Sequence, residues 1–154
     1  MEKIIKSKER VKKYAEVFTP QWLVKDMCDL IPPEEWENID STFLEPCCGN
    51  GNFLEEIAKR KFRLCKSPKD GIRALNSIYG IDIQADNVIE SRERLLRLYI
   101  QSFPTANDFA ILLASQVING RIKCGDSLKI MERMSEDETF RRHNENKRGG
   151  DRTR

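Results

Sequence analysis

The 154 residues contain a single histidine, His143, and no Cys-x-x-Cys pair. With one imidazole and no paired thiols, a metal site is not expected. The five cysteines (Cys28, Cys47, Cys48, Cys65 and Cys124) are odd in number and unevenly spaced, which argues against a disulfide framework. They read as reduced side chains packed in the interior. No apolar run approaches the ~18 residues of a membrane helix, and the opening MEKIIKSKERVKKY lacks the apolar core of a secretory signal. A formal charge of +2 is too small to indicate nucleic acid by itself. The expectation is a cytoplasmic protein of about one domain with no membrane association.

What is present alternates between strand and helix signals. Residues 1–13 mix lysines with acids and show no apolar face, so they read as a polar, solvated lead-in. Thr19-Pro20 reads as a helix start, threonine at the N-cap and proline at the first helical position. Leu23, Val24, Met27, Cys28 and Ile31 follow at helical spacing, and Pro32-Pro33 ends that helix. Thr42 to Leu44 reads as a first strand, followed by a glycine turn and a helix marked by Phe53, Leu54, Ile57 and Ala58. After a loop containing Pro68 and Gly71 comes a short helix, Ile72 to Asn76. Ser77 to Ile83 is expected as the second strand. Val88, Ile89, Leu95, Leu96, Tyr99, Ile100 and Phe103 mark one helix ended by Pro104, and Phe109, Leu112, Leu113 and Val117 mark another. Asn119-Gly120 reads as a turn and Arg121 to Cys124 as a third strand. This order predicts an α/β fold with a parallel sheet, covering residues 14–134. The segment 135–154 is too polar to offset its ordering entropy and is expected to be largely disordered.

In such sheets ligands bind beyond the carboxyl ends of the strands, where this sequence places Glu45, Asp82 and Asp126. A dinucleotide fingerprint needs Gly-x-Gly-x-x-Gly; Gly49 and Gly51 fit, but Leu54 occupies the third position. Glu45, at the strand tip, would repel a pyrophosphate and would suit a cationic ligand. S-adenosylmethionine (SAM) carries an ammonium and a sulfonium and no phosphate. Glu45 can face its methionine end, while Gly49 and Gly51 allow close backbone approach. Asp82 is placed to accept the ribose hydroxyls, Ile83 to pack on adenine, and Asp126 to accept from the adenine amino group.

The segment Glu45-Pro46-Cys47-Cys48-Gly49-Asn50-Gly51-Asn52-Phe53-Leu54 resembles the first motif of SAM-dependent adenine-N6 DNA methyltransferases, acid-Pro-x-x-Gly-x-Gly-x-Phe-Leu. Glu16-Val17-Phe18-Thr19-Pro20 is similar to the Phe-Thr-Pro motif that precedes the first strand in one class of that family. Gly80-Ile81-Asp82-Ile83 resembles the second motif and Gly125-Asp126-Ser127-Leu128 the third. The resemblance implies a Rossmann-like SAM-methyltransferase fold and cofactor contacts from Phe18, Thr19, Pro20, Glu45, Pro46, Gly49, Gly51, Phe53, Asp82, Ile83 and Asp126. Pro46-Cys47 also resembles the Pro-Cys nucleophile of cytosine-C5 methyltransferases, but those enzymes carry it in a later catalytic loop.

The family's Asn/Asp-Pro-Pro-Tyr/Phe motif, which polarises the amino group of a flipped-out adenine, does not occur in this sequence. Pro32-Pro33 is followed by Glu34 and precedes the glycine turn, so it is no substitute. No catalytic residue is therefore assigned. The fold is expected to be truncated to roughly its first three parallel strands, in a cofactor-binding part that is inactive alone. DNA would be met through a missing or partner-supplied region, in a restriction–modification setting. An unpaired first strand predicts self-association or a second polypeptide carrying the catalytic half. A non-catalytic SAM-binding regulatory module, and a methyltransferase acting on RNA or protein, are the alternatives.

Overall fold

A computed structural model describes residues 4–133; the polar tail expected from residue 135 lies outside the described residues. Three short strands, β1 (Phe43–Glu45), β2 (Ile78–Asp82) and β3 (Ile122–Cys124), pair in parallel in that order. The register sets Glu45 opposite Gly80 and Asp82 opposite Cys124, so the carboxyl ends fall along one edge of the sheet. Parallel neighbours need long crossovers, supplied here by α4 (Asn52–Phe62) with α5 (Pro68–Asn76), and by α6 (Ala85–Ser102) with α7 (Asp108–Arg121). The result is a Rossmann-like α/β arrangement, a parallel sheet flanked by helices. Ahead of it lie α1 (Lys8–Tyr14), α2 (Gln21–Asp29) and the single turn α3 (Pro33–Trp36).

Burial of the helix faces explains the core. Val24 and Cys28 of α2, Leu54 and Ala58 of α4, Leu75 of α5, Leu95 and Tyr99 of α6, and Ala114 and Ile118 of α7 close around Ile78 and Ile122. Tyr99, Phe62 and Phe103 meet edge-on or tilted, with centroids 5.1–6.3 Å apart. Lys61 is fully buried, its ammonium donating at 2.6 Å to the carbonyls of both Ile39 and Ser41, which fixes the loop entering β1.

Several expected elements are shifted, each for a local reason. The helix α2 begins at Gln21 with Pro20 at its N-cap, and Thr19 makes no side-chain cap; its carbonyl instead accepts from Asn52 Nδ2 at 2.8 Å. Met27, expected in the buried stripe, is exposed. Pro33 opens α3, the first-turn position where a missing N–H costs nothing. What read as a loop around Pro68 and Gly71 is the first half of α5, capped by Ser67. Gly71 is there for closeness: a Cβ would lie 2.3 Å from the Phe103 ring. Asn119-Gly120 forms no turn, since α7 runs through both residues and passes directly into β3. Arg92 reads the Ile122 carbonyl from α6 and holds that junction. On α7 the small Ala114 faces inward with Ile118, leaving Phe109 and Leu112 exposed, so the apolar face is rotated from the expected one. On α6, Ile89 and Ile100 are likewise exposed.

The cysteines do not all pack in the interior. Cys28 and Cys48 are buried and Cys65 is half-buried, but Cys47 and Cys124 are exposed. Among the described residues β1 pairs only with β2, and Leu44 beside its free edge is 45% exposed.

Candidate functional site

A cleft of about 600 Å³ opens at the carboxyl ends of the strands. Its walls come from the segment before α2, the turn after β1, the end of β2, and the turn after β3. The turn after β1 exists because two residues can leave the usual backbone regions. Gly49 has φ +52° and Gly51 φ +91°, values that favour glycine. Cys48 N–H donates to the Ile81 carbonyl at 2.9 Å, tying the turn to β2. Ser91 of α6 donates its hydroxyl to the Gly49 carbonyl at 2.9 Å. Arg94 donates to the Asn50 carbonyl, to Asn52 Oδ1 and to Glu55, which fixes the start of α4 against α6.

Of the residues expected from sequence, Phe18, Thr19, Glu45, Pro46, Gly49, Phe53, Asp82, Ile83 and Asp126 line this cleft. Pro20 and Gly51 do not. Pro20 faces the start of α2, and Gly51 is backed against Ser91, where a Cβ would meet the Ser91 Oγ at 2.9 Å. Phe18 is buried, its ring lying against Gly49. Its backbone N–H donates to the Ile4 carbonyl at 2.7 Å, so the lead-in is pinned over the turn. Ile83, by contrast, is 60% exposed on the rim, a large apolar side chain with open surface.

The three acids differ in how much of their accepting capacity is already in use. Asp82 accepts from Gly49 N–H (2.9 Å), Gln84 N–H (2.8 Å) and Asn87 Nδ2 (3.2 Å). A carboxylate offers about four acceptor positions, so roughly one remains. Glu45 turns back to accept from Cys47 N–H at 3.1 Å. Asp126 caps the helical residues 127–133, accepting from Leu128 N–H at 3.1 Å. Its position at the strand end thus has a structural cause as well.

A second polar system, not foreseen from the sequence, secures the lead-in. Glu16 lies at the cleft wall and is nearly buried, pairing with Arg10 of α1 and accepting from Asn87 Nδ2 at 2.9 Å. Arg10 and Lys6 also pair with Asp86 on α6, and Lys6 reaches Glu90 at 2.9 Å. Hydrogen bonding by Arg10, with Lys6 adding to it, holds the Asp86 carboxyl well below the usual carboxylate range. The legible sign was on α6: Asn87, Ser91 and Arg94 sit at i, i+4 and i+7 along the stripe shared with Val88 and Leu95. Polar residues on an inward stripe must be bonded to something.

The chemistry of the lining is one-sided. It holds the carboxylates of Glu45, Asp82 and Asp126, with Glu16 already paired to Arg10, and among the described residues no lysine, arginine or histidine. Cys48 lies under the turn with its thiol pushed up to about 12, chiefly by burial, so it is no nucleophile at neutral pH.

Over 81 residues the chain is 38% identical to the Type II methyltransferase M.VspI of Vibrio sp. (strain 343). The likeness is to a methyltransferase. It takes in 53% of this chain and 16% of that protein, so the chain spans about a sixth of the length of the relative it matches. No family model matches, and no solved structure matches. The similarity supports a methyltransferase relationship for a chain whose parallel sheet and strand-end cleft have the Rossmann-like form.

Proposed function

We propose that the cleft binds S-adenosylmethionine and that the chain forms the cofactor-binding part of a DNA adenine-N6 methyltransferase. The observation that carries the reading is the lining: among the described residues it presents Glu45, Asp82 and Asp126 with no basic side chain, and a glycine turn lies close to the opening. Those residues fit a ligand with cationic groups and no phosphate. A dinucleotide, whose pyrophosphate needs donors and positive charge, would meet acids instead. The partial identity to a Type II methyltransferase points to the same cofactor.

Bound SAM would supply an electrophilic methyl group on a sulfonium. Glu45 would face the methionine ammonium, and the remaining acceptor position of Asp82 would take a ribose hydroxyl. Ile83, open on the rim, would cover one face of the adenine. Phe18 and Thr19 close the wall over the glycine turn and keep water from the methionine end. Asp126 is already a helix cap, so its contact with the adenine amino group would be its second role.

The acceptor side rests on the motif resemblance. An adenine amino group must be drawn toward an acceptor to become nucleophilic, and the 154 residues hold no Asn/Asp-Pro-Pro-Tyr sequence for that task. That loop and the surfaces that read DNA are supplied by further sequence or by a second polypeptide. The free edge of β1, with Leu44 beside it, is where an added strand would pair. Calorimetric titration with S-adenosylhomocysteine tests the cofactor claim; absence of binding at near-millimolar ligand would remove it.

A further inference from the structure

The Asn87 side chain is 1% exposed and stands between two carboxylates from distant parts of the chain. Its Nδ2 donates to Glu16 at 2.9 Å and to Asp82 at 3.2 Å. Both neighbours are pure acceptors, so the nitrogen must face them, and its two hydrogens match them one to one. Few side chains can do this. Aspartate would bring a third carboxylate to the same point, serine has one hydrogen for two acceptors, and leucine would leave both acids short of a buried donor.

The bridge links the N-terminal arm to an acid at the end of β2. Glu16 belongs to the arm 4–18, which lies over the glycine turn through Phe18 and is otherwise held to α6 by Lys6 and Arg10. Their acidic partners, Asp86 and Glu90, have side chains 52% and 38% exposed, so water and salt partly screen those pairs. The Glu16–Asn87 bond is the sheltered one. At the other end, Asp82 keeps roughly one acceptor position after Gly49, Gln84 and Asn87 have bonded it. Gly49 and Gln84 hold one oxygen each through backbone N–H groups, so the Asn87 bond sets the remaining tilt of the carboxylate.

We propose that Asn87 is a positioning residue: it couples the seating of the N-terminal arm to the orientation of the Asp82 carboxylate toward a ribose hydroxyl. The ribose part rests on the cofactor reading above; the coupling between arm and carboxylate does not. An unseated arm leaves Glu16 out of the bridge and Asp82 held by its two backbone donors alone. A seated arm fixes both.

The test compares S-adenosylhomocysteine with its 2′,3′-dideoxyribose counterpart, titrated into the full chain and into Asn87→Ala and Asn87→Leu. A hydrogen bond to a carboxylate is worth roughly tenfold or more in affinity, so the wild type should prefer the ribose form by about that factor. In both variants the preference should fall below about threefold, with affinity for the dideoxy form little changed. A purely structural role would weaken both ligands alike; an unchanged preference would overturn the proposal. A second readout needs no ligand. Asp82→Asn should speed amide exchange by roughly tenfold at Ala15 and Phe18, whose N–H groups bond Val11 and Ile4. Unchanged exchange there would refute the coupling. Failure of the wild type to bind either ligand would instead overturn the cofactor reading, and the exchange result would still decide the coupling.

Discussion

Replacing each glycine of the turn by alanine should give two clearly different costs. Gly49 sits at φ +52°, inside the left-handed well, where alanine pays about 1–2 kcal/mol. Its new Cβ would stand 3.1 and 3.2 Å from two atoms of the Phe18 ring, a side chain on the arm that can shift by a few tenths of an ångström. Gly51 is worse placed on both counts. Its φ of +91° lies outside that well, and the added carbon would come within 2.9 Å of Ser91 Oγ and 3.1 Å of Ser91 Cα. The Cα belongs to the backbone of α6, an 18-residue helix packed on the core, and cannot yield locally. Backbone strain of about 1–3 kcal/mol plus overpacking of about 1–3 kcal/mol makes Gly51→Ala cost roughly 2–6 kcal/mol. Gly49→Ala should cost about 1–2 kcal/mol and loosen the arm. Urea titration followed by far-UV circular dichroism measures both, with an unchanged m-value expected. A Gly51→Ala penalty no larger than that of Gly49→Ala would refute the reasoning.

Lys61 gives a pH signature. Burial pushes its ammonium down to about 8 from the 10.5 of a free lysine. The folded state then binds fewer protons at this group than the unfolded state between those values, so the Lys61 contribution to stability should rise with pH across the window, by at most about 3 kcal/mol. The thiols of Cys28, Cys48 and Cys65, pushed up by burial, give the opposite slope above about pH 9. The stability of the wild type minus that of Lys61→Met should therefore increase between pH 8 and 10.5; parallel pH profiles in the two proteins would exclude it. Alkylation at pH 8 should modify Cys47 and Cys124 in the folded protein, and Cys28 and Cys48 only after unfolding, as read by mass spectrometry. Size-exclusion chromatography at high concentration should show association through the β1 edge that Leu44→Lys reduces; a clean wild-type monomer would count against an adhesive edge.

Strand and helix order was legible because short apolar runs alternate with helical stripes, even though Met27, Ile89, Ile100, Phe109 and Leu112 on those stripes are exposed. The acids at the strand ends were legible too, since chain order alone places Glu45, Asp82 and Asp126 at one edge. What the pattern could not supply was the use of each side chain. Thr19 looked like a cap by residue type, yet its carbonyl is taken by Asn52, a partner 33 positions away. Asn119-Gly120 carries a turn signal that a helix running straight into a strand overrides. The lead-in up to residue 13 looked solvated because its charges show no apolar face, whereas pairing of Lys6 and Arg10 with Asp86 and Glu90, far along the chain, gives it a seat. Long-range polar pairing leaves no period in a sequence. Only the inward position of Asn87, Ser91 and Arg94 hinted at it.

The central claim is that this acid-lined cleft holds S-adenosylmethionine through Asp82. Calorimetry with S-adenosylhomocysteine on the wild type and on Asp82→Ala tests it most directly. The account predicts one site per chain and a loss of roughly tenfold or more in affinity in the variant, the worth of a hydrogen bond to a charged acceptor. Equal affinity in both proteins, or no heat of binding in a folded wild type at near-millimolar ligand, would contradict it.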